Sequence, residues 1–428
     1  MHEIGQMKKS VLNVFWLTAM QASNAALPLI VFPFALAAVG DYYYSRLVVS
    51  EALAVFLIAV VLYSFEIDGV AGVIGADPKK DRAKLSQLLC GIVVTRLALF
   101  AIFLPVLACV AWALEPELVL PTVAWSLVPL SYALQPNWFF QGLGQNAFAA
   151  AITVATRCAA ALATLLLVND PSRYMLVPLA IGISYVVGAV VVLGYAFAYL
   201  GLGWGWPERG YLRKILFNGR FIFFGNLGVT LYRDANVLVL AAVGAPGAAI
   251  ALYSLAEKLV KSIQAGIRPL NQHFLPYAMR IAQETDHSRR EILGRLVRLT
   301  LPQLAALSAL ILVLYLAFPF VQAHVPLARD IGNLEQAIPL IGIMCLGALV
   351  GVANFMLGSA GLNAMGERLY MCRSIVVAGV VGVATCAVGG MYVGAYGAAI
   401  AFVAAEIALQ VTILRKYLVV PRHELSWK

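Results

Sequence analysis

Six stretches of this chain, residues 10–40, 118–156, 174–207, 299–328, 336–366 and 374–405, contain no Asp, Glu, Lys or Arg. A helix crosses the hydrocarbon core of a bilayer in about 20 residues, and each stretch is longer than that. A water-soluble fold could not hide them. Of 428 residues, 62% are hydrophobic and 12% charged, against about 25% charged in soluble domains. A folded chain of this size still needs polar groups to cover its surface. Soluble enzymes, nucleic-acid modules and disordered chains are thereby excluded. Lipid tolerates only helices and closed barrels, because backbone polar groups find no water there. Barrel strands are shorter and alternate apolar with polar residues, which this chain does not do.

Isolated charges punctuate the remaining apolar segments. The expected spans are 11–38, 47–75, 86–113, 119–140, 146–168, 174–199, 215–242, 248–276, 298–323, 335–362, 370–392 and 395–417. The run 118–156 is divided at Gln141-Gly-Leu-Gly-Gln-Asn146, a polar, glycine-rich turn. This is an all-α, polytopic membrane protein of twelve helices. No separable signal peptide is expected, since 11–38 is too long for a signal core. Six cysteines fall within spans at no metal-ligand spacing, and are read as small apolar packing residues.

The net charge of +9 is a topology signal. Twelve spans place both termini on one side. Twenty of the 30 basic residues fall on that side, and Arg46, Arg173 and Arg329 on the other. The positive-inside rule then puts both termini in the cytoplasm. Arg96, Arg157, Arg220, Arg233, Lys258, Lys261 and Arg268 are left inside spans. A cation in hydrocarbon costs at least about 2.5–3.5 kcal/mol, so such residues turn toward a protein interior or a watery cavity. Arg220 lies near a helix end and can snorkel.

The eighth span carries the clearest pattern. Glu257, Lys261, Gln264, Arg268 and Asn271 recur at steps of four and three, which places them on one helical stripe. Lys258 lies to one side. A polar stripe of this kind lines water or a polar substrate, or else makes interhelical hydrogen bonds and a Glu257–Lys261 pair. The seventh span repeats it more weakly with Asn226, Thr230 and Arg233, beside Asp234. Surplus buried cation calls for an anionic ligand, and phosphate or diphosphate suits arginine geometry. Arg233, Lys258, Lys261, Arg268, Arg96 and Arg157 are the candidate diphosphate contacts. Asn226, Thr230, Gln264, Asn271 and Asn24 are the candidate polar lining. Glu66, Asp68, Asp234 and Glu257, with Glu406, are the acids that could couple transport to an ion. Neither a cofactor nor a metal site is indicated, and coupling to protons or Na⁺ stays open.

Internal similarity joins the two halves. Leu36-Ala-Ala-Val-Gly40 and Leu240-Ala-Ala-Val-Gly244 each precede a Tyr-Ser pair, at Tyr44-Ser45 and Tyr253-Ser254. Gln141-Gly-Leu-Gly-Gln145 matches Gly361-Leu-Asn-Ala-Met-Gly366 in order. Residues 1–205 and 206–428 are therefore read as two pseudo-symmetric six-helix lobes around a central cavity, a design suited to alternating access. Pro28, Pro33, Gly266 and Pro269 are candidate bends.

Several blocks also suggest a family. Asn13, Gln21, Asn24, Pro28, Pro33 and Gly40 are spaced as in the first helix of bacterial Wzx-type polysaccharide and O-antigen flippases. Pro136-Asn-Trp-Phe-Phe-Gln-Gly142 resembles the Trp-x-x-Gln-Gly turn after their fourth helix. Tyr253-Ser-Leu-Ala-Glu-Lys258, with Pro269 and Pro276, is similar to their eighth, and Tyr396-Gly-Ala-Ala399 to their twelfth. These proteins belong to the multidrug/oligosaccharidyl-lipid/polysaccharide exporter superfamily. The resemblance implies a flippase of the bacterial inner membrane, moving an undecaprenyl-diphosphate-linked oligosaccharide from the cytoplasmic to the periplasmic leaflet. Polymerase and chain-length proteins of the same pathway are the implied partners. The closest rival is a drug or cation antiporter of the same superfamily, which would favour acidic cavity groups. An enzyme of the lipid-linked sugar pathway is disfavoured, because no acidic pair, nucleophile elbow, metal spacing or phosphate-binding glycine loop is present.

Overall fold

A computed structural model describes residues 2–77, 80–207, 210–284, 288–324 and 334–419. Lys79, Arg209, Arg329, Arg422 and Lys428, which enter the loop-charge argument, lie outside the described residues. The described chain is helical, with no strand among the described residues.

The elements in order are α1 (His2–Leu62), α2 (Phe65–Val73), α3 (Arg82–Leu114), α4 (Val119–Trp125), α5 (Leu127–Leu134), α6 (Asn137–Gly142), α7 (Asn146–Leu167) and α8 (Leu176–Leu200). They continue with α9 (Tyr211–Asp234), α10 (Asn236–Ala242), α11 (Gly247–Gln283), α12 (Arg289–His324) and α13 (Leu334–Asn354). A π-helical segment, Phe355–Leu362, follows α13, and then come α14 (Arg368–Val393) and α15 (Ala395–Leu418).

Nine helices among the described residues are long and apolar enough to cross a membrane. This is an integral membrane protein. Two facts separate that count from the expected twelve. Thr18–Val73 counts once, although α1 is broken at Gly40 (φ 74°, ψ 168°), where a left-handed backbone suits glycine. Helices α9 and α11 are too polar, and α10 is too short, to qualify. The apolar surface that a soluble fold would hide is turned outward. On α12, Leu312, Val313, Leu314, Tyr315 and Leu316 are all exposed, so this stretch is apolar and open all round, as suits contact with lipid chains.

Several breaks were not legible as span boundaries. Tyr63 takes a positive φ of 47° and separates α1 from α2 inside the expected span 47–75. The expected span 119–140 is three short helices, α4 to α6, rather than one. Ser126 and Pro136 stand at the two joints between them, and a proline cannot donate to the preceding turn. The expected span 215–242 is interrupted at Ala235. Conversely, α1 runs through Pro28 and Pro33, and α11 runs through Gly266, Pro269 and Pro276. Breaks in the helices fall at Gly40, Tyr63 and Ala235.

The chain divides into two compact units, Met1–Thr230 and Leu231–Lys428, with the boundary inside α9. In the first, Phe65, Leu85, Leu89, Trp138, Phe139 and Phe140 are fully buried in one cluster. Trp138 of the Trp-x-x-Gln-Gly turn lies over Gly69 of α2, where a Cβ would come within 2.5 Å of its ring. The Tyr63 ring stacks on Phe223 at 4.5 Å, and the Tyr63 hydroxyl donates to the Leu216 carbonyl at 2.7 Å. In the second unit, α14 and α15 cross where Gly389 meets Gly397, backbone against backbone. All six cysteines are free. Cys90, Cys345 and Cys386 are buried, but Cys109 and Cys158 are exposed, so packing does not describe those two.

Candidate functional site

The stripe on α11 joins a polar cluster inside the second unit. Lys261 Nζ lies 2.5 Å from Asp234 Oδ1 at the end of α9 and 3.0 Å from Glu257 Oε1 one turn back on α11. Helical spacing sets the second contact, since residues four apart share a face. The break at Ala235 sets the first, by ending α9 where Asp234 can turn toward α11. Just past the break, Asn236 Nδ2 donates to the Tyr253 hydroxyl at 2.9 Å.

A second ionic group stands beside it. Arg233 Nε is 3.8 Å from Glu406 Oε1, too long for a hydrogen bond. Glu406 is fully buried on α15. Its other oxygen accepts from Asn354 Nδ2 at 2.7 Å, and the same amide donates to the Glu406 carbonyl at 2.9 Å. Glu406 Oε1 has no hydrogen-bond partner among the described residues. Asn354 is the last residue of α13, where the π-helical segment begins.

The remaining stripe residues are less constrained. Arg268 is exposed and forms no ion pair among the described residues. Gln264 and Asn271 are half-buried, and Asn271 Oδ1 is shielded without a partner. Four cations, Arg233, Lys258, Lys261 and Arg268, thus accompany three carboxylates, Asp234, Glu257 and Glu406. The site is nearly balanced, with its uncompensated charge at Arg268.

The candidates in the first unit are placed differently. Arg96 is 1% exposed. It pairs with Glu66 Oε1 at 2.7 Å and donates to the carbonyls of Tyr132 and Gln135 at 3.2 and 3.4 Å. Arg157 donates to Asn24 Oδ1 at 2.9 Å and lies over the Tyr185 ring, 3.2 Å from its centroid. Asn226 Nδ2 donates to the Tyr63 carbonyl at 3.1 Å, and Thr230 Oγ1 to the Asn226 carbonyl at 3.2 Å. Asp68 is half-buried and makes no ion pair among the described residues. The structure therefore brings Arg233, Asp234, Glu257 and Lys261 together. Arg96 with Glu66, and Arg157 with Asn24, form separate pairs. No group of three or more His, Cys, Asp or Glu side chains that could hold a metal occurs among the described residues.

Sequence reasoning did not find Asn354, or the pairing of Glu406 with Arg233. The available signal was the position of Glu406, which ends the charge-free run 374–405 inside an apolar span. It also did not find the buried group of Arg289, Glu367 and Lys416. There Glu367 takes Arg289 at 2.7 Å and Lys416 at 3.2 Å.

With this geometry in hand, comparison places the fold. Over 95% of this chain and 96% of the other, it superposes on the inward-facing conformation of a multidrug resistance MATE family transporter of the MOP superfamily, with TM-score 0.55 and 14% identity. Over 96% of this chain and 86% of the other, it superposes on the lipid II flippase MurJ in an inward closed conformation, with TM-score 0.57 and 13% identity. The fold is that of these transporters. A protein of Escherichia coli (strain K12) named "Putative O-antigen transporter" is 21% identical over 266 residues, 62% of this chain. The match spans 63% of that relative's length. By their names the matched proteins are transporters and flippases, not enzymes. Residues 10–282 match the family described as "Polysaccharide biosynthesis protein", and the chain belongs to that family.

Proposed function

We propose that this protein is a flippase that carries an undecaprenyl-diphosphate-linked oligosaccharide from the cytoplasmic to the periplasmic leaflet, with α11 as its diphosphate-binding surface. The observation that carries this reading is the polar stripe of α11, on which Arg268 is left without a counter-ion among the described residues. The E. coli relative's name and the MurJ-like fold support the substrate class. A bilayer resists the reaction because the sugar and diphosphate must be dehydrated, and a charged stripe replaces their water with fixed donors.

Arg268 makes the first contact in this scheme, because its guanidinium can grip a phosphate with paired donors. Lys261 is held by Asp234 and Glu257, and would exchange those carboxylates for the diphosphate as substrate seats. Gln264 and Asn271 are placed to bond phosphate or sugar oxygens. Arg96 is enclosed by Glu66 and two carbonyls, which suits a structural role better than substrate contact. In an inside-negative cell, each negative charge moved outward gains about 2.3 kcal/mol per 100 mV. Ion coupling is therefore optional. If it operates, Glu406 is the suited acid, with one carboxylate oxygen unbonded.

A second reading, export of a cationic drug, is favoured by Asp234, Glu257 and Glu406, acids that could hold a cation. Leaflet-resolved transport in proteoliposomes separates the two. Arg268→Glu and Lys261→Glu should abolish movement of a diphosphate-linked oligosaccharide while the protein still inserts. Undiminished transport by both variants would overturn the site. Drug efflux without lipid-sugar movement would establish the rival.

A further inference from the structure

A cleft far along the chain from α11, wholly within the first unit, is used by nothing above. It lies where α3 begins and α8 ends, has a volume of about 580 Å³, and is lined by Arg82, Ser86, Gln87, Trp204 and Trp206 among others. From these residues we infer that the cleft is a binding site for a phosphorylated lipid headgroup.

Its chemistry is mixed in a specific way. Arg82 is exposed and makes no ion pair among the described residues. Its guanidinium lies over Gly201, 3.5 Å from where a Cβ would stand, an ordinary van der Waals contact. Ser86 Oγ accepts from the Gly203 amide at 3.1 Å, which ties the loop to α3 and leaves the hydroxyl proton free to donate. Gln87 is exposed and makes no side-chain bond among the described residues. Asp81, the neighbouring acid, accepts from the Asp77 amide through Oδ2 at 2.9 Å.

The rest of the lining includes two indoles. Trp204 and Trp206 are 50% and 78% exposed, and their rings meet edge-on with centroids 6.3 Å apart. Trp204 leans on Phe197 at 5.7 Å, which fixes the first ring to the end of α8. Two indoles at the end of an apolar helix belong at the membrane–water boundary. Anchoring alone would not need a cleft or a cation in its lining. A guanidinium binds phosphate through paired donors, and Ser86 and Gln87 can bond glycerol or sugar hydroxyls. An indole face accepts the C–H side of either, while the lipid chain stays in the bilayer beside Tyr199, itself 69% exposed.

Two sources present this chemistry: an anionic glycerophospholipid of the surrounding leaflet, and the prenyl diphosphate of a lipid-linked sugar. The inference does not depend on the α11 reading. The test uses the full chain in detergent and native mass spectrometry with phosphatidylglycerol, phosphatidylcholine and undecaprenyl diphosphate. The wild type should retain phosphatidylglycerol or the diphosphate about tenfold better than phosphatidylcholine, as expected for a charge-assisted contact. Arg82→Gln should erase that preference, and Trp204→Ala with Trp206→Ala should weaken it. Measuring the diphosphate in an Arg268→Gln background separates the cleft from α11. Loss confined to phosphatidylglycerol identifies the leaflet lipid, and loss confined to the diphosphate identifies the sugar carrier.

A readout without substitution guards against misfolded variants. Tryptophan fluorescence of the wild type should be quenched more by brominated phosphatidylglycerol, or shifted more by undecaprenyl diphosphate, than by brominated phosphatidylcholine. Equal response to all three lipids, or unchanged retention in folded Arg82→Gln, overturns the inference.

Discussion

If α11 binds a diphosphate, the acids around Lys261 compete with it, and removing one should tighten binding. Asp234→Asn keeps the shape of the side chain and deletes its charge. In the wild type, Lys261 Nζ is 2.5 Å from Asp234 Oδ1, with the two side chains 37% and 26% exposed. A fully exposed pair contributes about 0–1 kcal/mol, and a shielded charge-assisted bond about 1.5–3 kcal/mol. Partial exposure puts this contact between them, at about 1–2 kcal/mol. Glu257 remains 3.0 Å away, so Lys261 stays in place. Relief of the competing contact should lower the Kd for undecaprenyl diphosphate about five- to thirtyfold. Lys261→Met should move it the other way. Titrating purified wild type and both variants with the lipid, each checked for an unchanged melting temperature, measures both shifts. Weaker or unaltered binding by folded Asp234→Asn would refute the reasoning, since the carboxylate would then be part of the ligand's site and not its competitor.

Three further outcomes follow from the packing and the topology. Glu367→Ala strands Arg289 and Lys416, whose side chains are 9% and 3% exposed. It should cost about 3–5 kcal/mol in thermal unfolding, and adding Lys416→Met should recover part of that loss. Gly397→Ala places a Cβ 2.1 Å from the Gly389 carbonyl carbon. Backbone cannot yield as a side chain does, so the loss should lie at the upper end of overpacking costs, about 3 kcal/mol, seen as a fall in melting temperature. The distribution of basic residues predicts that tags at both termini are reached only from the cytoplasmic side of intact cells; labelling of either terminus from outside would refute it.

The fold class was legible because membrane solvation is a coarse filter. Charge-free runs and loop arginines are visible without any knowledge of contacts, and α3, α7, α8, α14 and α15 lie close to the expected spans. The stripe Glu257–Lys261–Gln264–Arg268–Asn271 was legible because it rests on the helical repeat alone. Its partners were not. Glu406 reaches Arg233 across a separation of 173 positions, and Asn354 reaches Glu406 across 52, and no local pattern encodes such pairings. The break at Tyr63 was hidden for a related reason. It is held by the Asn226 amide and the Phe223 ring from α9, a tertiary device that leaves no local turn signature.

The π-helical segment after Asn354 has one more implication. Such a segment arises when one residue too many is fitted into a helix, and every side chain beyond it is turned by about 100° from where α-helical winding would put it. The Tyr417 hydroxyl donates to the Leu357 carbonyl at 2.8 Å within that segment, so the surplus residue is tied down from α15. Deleting one residue between 355 and 362 would let ordinary winding resume, and would swing Glu367, which caps the start of α14, away from Arg289 and Lys416. The direction in which α14 leaves α13 is thus stored in a single unit of chain length.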